Sequence, residues 1–105
     1  ILIIMDLEQE QWWNAYQNDE NAVLLDVRTE EEVMSGRIPN ALHYDFYQGQ
    51  DFLNALESLD KSKNYYIYCR SGNRSGQTCL LMKQLGFENT YNLIGGMNDW
   101  AGDVE

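Results

Sequence analysis

Tyr65-Tyr66-Ile67-Tyr68-Cys69-Arg70-Ser71-Gly72-Asn73-Arg74-Ser75 is the stretch on which the reading of this chain turns. Its first four residues are an apolar, aromatic run of the kind that forms a strand buried on both faces. Small and polar residues follow, and beyond them Gln77 to Leu85 has a helix-like pattern. A cysteine therefore sits where a strand stops and a short, arginine-bearing loop turns into a helix. Backbone N–H groups of such a loop converge on whatever lies at its centre, and the helix N-terminus adds partial positive charge. A thiol placed there is expected to have a lowered pKa, and the thiolate is the nucleophilic form. A lone cysteine at a strand end otherwise reads as a small buried hydrophobe beside ordinary turn residues. Arg70 and Arg74 change that balance, because a guanidinium pair is natural around an anion and expensive around an inert thiol.

Strand and helix signals alternate outward from this stretch. Ile1-Leu2-Ile3-Ile4-Met5 is too short to span a membrane, lacks the basic flank of a whole signal peptide, and is read as holding the first strand. Asp6 with Gln9 reads as the N-cap of a helix whose apolar face carries Leu7, Trp12, Ala15 and Tyr16. Asn18 to Asn21 is a polar break, and Ala22-Val23-Leu24-Leu25 is a second buried-strand run. Thr29 with Glu32 is a capping box that opens a short helix, which Gly36 ends. A short strand is expected around Leu42-His43-Tyr44, then a helix capped by Asp51 and carrying Phe52, Leu53, Leu56 and Leu59. After the cysteine loop, Ser75 is expected to cap a helix with Leu80, Leu81 and Leu85 inward and Gly86 as its stop. Thr90-Tyr91-Asn92-Leu93 reads as the last strand and Met97 to Ala101 as a short last helix.

This alternation implies one α/β domain over residues 1–105, built on a mostly parallel sheet of about five strands with helices on both faces. Ligands in such folds bind beyond the carboxyl ends of the strands, where Arg28 and Cys69 both fall. The chain has 105 residues and is 44% hydrophobic, enough for one real core and too small for two. A net charge of −10 argues against nucleic acid or an anionic membrane as partner. The four arginines, Arg28, Arg37, Arg70 and Arg74, fall in expected loops, so the chain reads as a small cationic site on an acidic body. Two cysteines and one histidine do not make a four-ligand zinc site. Cys79 is expected to be buried and inert in the helix body, unpaired with Cys69 because the two side chains point apart. Thiols without a disulfide framework suit a reducing compartment, so a cytoplasmic location is expected. A periplasmic one stays open, since the chain does not begin with Met.

Cys69-Arg70-Ser71-Gly72-Asn73-Arg74-Ser75 resembles the active-site loop of single-domain rhodaneses, the thiosulfate sulfurtransferase-like family. Three further motifs carry the resemblance along nearly the whole chain. Leu25-Asp26-Val27-Arg28 with Glu32 resembles the family's first motif, and Gly36-Arg37-Ile38-Pro39-Asn40-Ala41 its Gly-His-Ile-Pro-Gly-Ala motif. Leu93-Ile94-Gly95-Gly96, with Trp100 beyond, resembles the closing motif. Arg37 and Asn40 depart from the family's usual His and Gly, which bears on local turn geometry rather than on the cysteine.

The resemblance implies a rhodanese-like α/β fold and a sulfurtransferase. Cys69 would be the nucleophile. Arg70, Ser71, Gly72, Asn73, Arg74 and Ser75 would form the substrate-binding loop, with Arg74 bracing it or binding the donor and Arg70 tuning donor choice. Asp26 and Arg28 would support the site as a structural ion pair. His43 reads as a core or surface histidine, and Trp12, Trp13 and Trp100 as packing residues. The implied partners are a small anionic sulfur donor such as thiosulfate and a thiol or protein acceptor, served by a monomer that needs neither metal nor organic cofactor. Two rivals remain at this level. A cysteine phosphatase or arsenate reductase uses a related loop with one more residue between cysteine and arginine. A sulfur carrier or binding module that meets only protein partners would present the same residues.

Overall fold

The computed structural model describes residues 5–105, and Ile1 to Ile4, part of the expected first strand, lie outside them. Five strands are present among the described residues: β1 (Met5–Leu7), β2 (Ala22–Asp26), β3 (Leu42–His43), β4 (Asn64–Tyr68) and β5 (Asn89–Leu93). They form one sheet in the order β1-β5-β4-β2-β3, with every pairing parallel. The sheet is thus wholly parallel. Among the described residues four α-helices connect it: α1 (Gln9–Gln17), α2 (Glu30–Met34), α3 (Gln50–Glu57) and α4 (Asn73–Gln84).

The period-two geometry of a strand divides the core. Leu24, Tyr66, Tyr68 and Leu93 point to the face covered by α1, where they enclose the fully buried Trp12. Leu25, Val27, Tyr65, Ile67 and Cys69 point to the opposite face, against Phe52 and Leu56 of α3 and Cys79 and Met82 of α4. With both faces covered, β2 and β4 need apolar residues at nearly every position, which is why they read as continuous runs.

Several local expectations are corrected. Asp6 and Leu7 belong to β1, and Glu8 precedes α1 without a side-chain cap. Asp51 lies in the first turn of α3, whose N-cap is Gly49. A 3₁₀ turn at Phe46–Gln48 comes before it. On α4 the buried residues are Ser75, Thr78, Cys79 and Met82, while Leu80 is exposed. That face repeats at i, i+3, i+4 and i+7, but two of its four members are hydroxyl residues and give no apolar signal. The expected last helix is a 3₁₀ turn, Gly96–Asn98. The capping box holds: Thr29 Oγ1 accepts from the Glu32 N–H at 3.3 Å, and the Glu32 carboxylate accepts from the Thr29 N–H at 3.1 Å.

Both departures in the second motif have local accounts. Asn40 has φ +72°, a left-handed conformation that asparagine tolerates better than most residues with a Cβ. Arg37 pairs with the Glu105 carboxylate at 3.2 Å, and the two backbones exchange hydrogen bonds.

Candidate active site

β4 ends at Tyr68, and Cys69 stands immediately beyond its carboxyl end. The loop that follows is shorter than expected, because α4 already begins at Asn73. Arg74 and Ser75 are therefore helical residues, not loop or cap residues. Gly72 occupies the N-cap position with φ +100°, a left-handed geometry that glycine adopts without strain. A Cβ there would also lie 3.2 Å from the Leu93 carbonyl oxygen.

The loop wraps the sulfur. The Gly72 N–H donates to Cys69 Sγ at 3.1 Å, and the Ser75 hydroxyl lies 3.3 Å from it. Cys69 is fully buried. Burial pushes its pKa up, but hydrogen bonds from the Ser75 hydroxyl and from the N–H groups of Ser75, Gly72 and Ser71 outweigh it, so the net shift is downward. Cys79 has no such ring of donors, and burial pushes its thiol up to about 12. Both cysteines are free.

The base of the loop is pinned by the 3₁₀ turn that follows β5. The Met97 N–H donates to the Cys69 carbonyl at 3.0 Å, and the Asn98 N–H to the Arg70 carbonyl at 2.9 Å. Gly96 makes this approach possible, since a Cβ on it would stand 2.4 Å from the Cys69 carbonyl oxygen.

The arginines divide into committed and free. Arg74 forms a two-pronged pair with Glu32, Nη1 to Oε1 at 2.7 Å and Nη2 to Oε2 at 2.9 Å. This fork, with Thr29, holds the Glu32 carboxylate down at about 2. Arg74 also stands 5.5 Å from the centroid of the exposed Tyr47 ring. Arg28 is likewise committed: Nε and Nη2 reach Asp26, and Nη1 and Nη2 also donate to the carbonyls of Glu32 and Gly36. The fully buried Asp26 additionally accepts from Tyr68 Oη at 2.8 Å. Arg70 is exposed, with a single long contact to Asn98 Oδ1 at 3.4 Å. A cleft of about 310 Å³ opens beside the loop, lined by Arg28, Glu32, Ser35, Arg70, Met97 and Asn98.

Residues 9–103 match the family model described as Rhodanese-like domain. The chain belongs to the rhodanese-like family. This rhodanese-like chain is 42% identical over 87 residues to YtwF of Bacillus subtilis, described as a candidate sulfurtransferase, covering 83% of this chain and 81% of that one. It is 31% identical over 99 residues to a sulfurtransferase of Allochromatium vinosum, covering 94% and 90% of the two chains. A crystal structure of a rhodanese-like domain protein from Staphylococcus aureus superposes with a TM-score of 0.81 at 29% identity, covering 97% of each chain. Sulfur transfer is the activity named for both of these bacterial sequence relatives.

The rhodanese-like site contains residues that sequence reasoning passed over. Asn92, on β5, donates from Nδ2 to the Gly72 carbonyl at 3.1 Å and to Asp6 Oδ1 at 2.9 Å, and accepts from the Ser75 hydroxyl at 2.5 Å. The available signal was a polar residue within a strand otherwise expected to be buried, which demands partners. Tyr47, Met97 and Asn98 had no comparable signal. His43 Nε2 lies 2.7 Å from the Arg28 carbonyl, away from the sulfur's own partners. Trp100 packs edge-on against Trp12 and Trp13 rather than lining the cleft. No helix among the described residues is long and apolar enough to cross a membrane.

Proposed function

We propose that Cys69 is the nucleophile of a sulfurtransferase that takes a sulfane sulfur from an anionic donor such as thiosulfate and passes it to a thiol or protein acceptor. The observation that carries the reading is the sulfur's position inside a ring of N–H donors, with only Arg70, Ser71, Gly72 and Asn73 between Cys69 and Arg74. The thiolate attacks the outer sulfur of thiosulfate. The S–S bond of the donor breaks, sulfite leaves with its electron pair, and Cys69 becomes a persulfide. An acceptor nucleophile then attacks the terminal sulfur and restores the thiolate. The loop's N–H groups stabilise negative charge on sulfur throughout.

The phosphatase reading is disfavoured by the same geometry. A phosphoryl group needs three oxygens seated among those N–H groups and a guanidinium aimed at them. Here the loop is one residue shorter than the phosphatase pattern, and the Arg74 fork is filled by Glu32. In this reading Arg74 braces the loop, and Arg70 is the cation that meets the donor.

Incubation with thiosulfate should add the mass of one sulfur at Cys69, and cyanide should remove it as thiocyanate. Cys69→Ser should abolish turnover, while Cys79→Ser should keep most of it. Equal losses in two folded variants, or efficient hydrolysis of an aryl phosphate with no mass gain from thiosulfate, would overturn the assignment.

A further inference from the structure

One hydrogen-bond chain at this site runs away from the cleft and across two strands. Asp6 and Asn92 are register partners on β1 and β5. Both hydrogens of the Asn92 amide are taken by acceptors, Asp6 Oδ1 and the Gly72 carbonyl. The amide is therefore oriented, and its oxygen faces Ser75 Oγ at 2.5 Å. Rotating it by half a turn would set that oxygen against the Asp6 carboxylate and against the Gly72 carbonyl, which is repulsive at both ends. Ser75 has one hydroxyl proton and two neighbours that accept it, Asn92 Oδ1 and Cys69 Sγ. It serves one of them at a time.

We propose that Asn92, oriented by Asp6, is a positioning residue that competes with the Cys69 sulfur for the proton of Ser75. With a neutral thiol, Cys69 S–H donates to Ser75 Oγ and Ser75 O–H donates to Asn92 Oδ1, so every donor in the chain is used. With a thiolate, the hydroxyl turns to the sulfur and Asn92 Oδ1 gives up its partner. Asn92 thus tempers the acidity of a thiol that the N–H ring would otherwise ionise further. A persulfide sets up the same choice, because its inner sulfur is a weaker acceptor than a thiolate and returns the proton to Asn92. The hydroxyl thereby follows the charge on the inner sulfur through the transfer cycle. The other titratable groups that feel this sulfur are Arg74, whose fork is filled by Glu32, and the buried Cys79. Neither touches Ser75 or Asn92 through a side-chain hydrogen bond in the described structure.

This inference rests on Cys69 being the reactive sulfur, but its test uses no sulfur donor, so it can fail while turnover succeeds and the reverse. Iodoacetamide alkylation of the Cys69 peptide is followed by mass against pH, in high salt to screen the exposed Asp6 charge. Asn92→Leu should lower the midpoint, giving about fivefold more thiolate at neutral pH, the equivalent of one released hydrogen bond. Ser75→Ala should raise the midpoint, and Asn92→Leu should add nothing in that background, since the effect passes through the hydroxyl. Asp6→Ala, on the surface strand, should shift the midpoint in the same direction as Asn92→Leu. Asp6→Asn keeps an acceptor for the amide and should restore the wild-type value, which decides the matter even if Asn92→Leu does not fold. A midpoint that is unchanged or raised in Asn92→Leu and Asp6→Ala overturns the proposal, as does a shift that survives intact in the Ser75→Ala background.

Discussion

Two chemically identical thiols sit in one core cluster with opposite tendencies, and the ring of hydrogen-bond donors that Cys69 has and Cys79 lacks sets them apart. Cys69 and Cys79 are both fully buried. Donors around Cys69 overcome its burial, whereas burial wins at Cys79 and takes it to about 12. Alkylation should therefore be selective: Cys69 reacts with a midpoint below the free-thiol value of about 8.5, and Cys79, pushed up to about 12, stays unmodified there. Reaction should rise with pH up to that lowered midpoint and then level off, because the thiolate is the reacting form. A midpoint at or above the ordinary value would mean that the ring does not stabilise the anion. Gly96 governs the same sulfur from outside the loop. Its φ is +52°, and a methyl group would collide with the backbone of Cys69 and Arg70. Gly96→Ala should destabilise the fold by about 2–4 kcal/mol in urea titration and should cut turnover beyond what stability explains, by displacing the loop.

At the scale of elements, a carboxylate in the capping box of one short helix also anchors the helix that follows the cysteine loop. Glu32 closes the α2 capping box and grips Arg74 on α4. Its carboxylate is held down from 4.5 to about 2. A depressed carboxylate contributes stability that is fully present above its unfolded value and is lost as pH falls through the folded value. The wild type should therefore lose stability between about pH 5 and pH 2 through this pair, on the order of 2 kcal/mol once solvent screening of a partly exposed pair is discounted. Glu32→Gln should be less stable by a similar amount at neutral pH. Urea titrations of both proteins should converge on acidification, and a gap that stays constant down to pH 2 would refute the account. Arg74 stands in the first turn of α4 and finds a specific charged partner there. A helix N-terminus disfavours a guanidinium, and the Glu32 carboxylate supplies the compensating charge.

The whole molecule carries −10 charges within principal extents of 31 × 28 × 23 Å. At about 0.01 M salt the Debye length of ~30 Å spans the protein, and a dianionic donor approaches against the entire field. At about 0.15 M the length falls to ~8 Å, and the donor meets chiefly the local surface around Arg70. For thiosulfate, kcat/KM should therefore rise with ionic strength over that interval, while a neutral thiol acceptor should change little. A fall would show that the site's own positive potential reaches further than the acidic body.

Sequence alone determined the frame of this protein. Parallel strands buried on both faces are written as apolar runs, as at Leu24-Leu25 and Tyr65 to Tyr68, and a capping box at Thr29 and Glu32 is written locally. The cysteine loop, with its fixed spacing, singled out Cys69 as the candidate nucleophile for the same reason: contacts among neighbours in sequence are legible there. Tertiary structure decided whatever depends on distant partners. Whether an arginine is free or committed depends on Glu32, forty-two positions from Arg74. The burial of Ser75 and Thr78 depends on the sheet beneath α4, and the orientation of Asn92 depends on Asp6, eighty-six positions away. Polar side chains carry no periodic signal of their own, so their roles appear only when the fold brings donor and acceptor within hydrogen-bond distance.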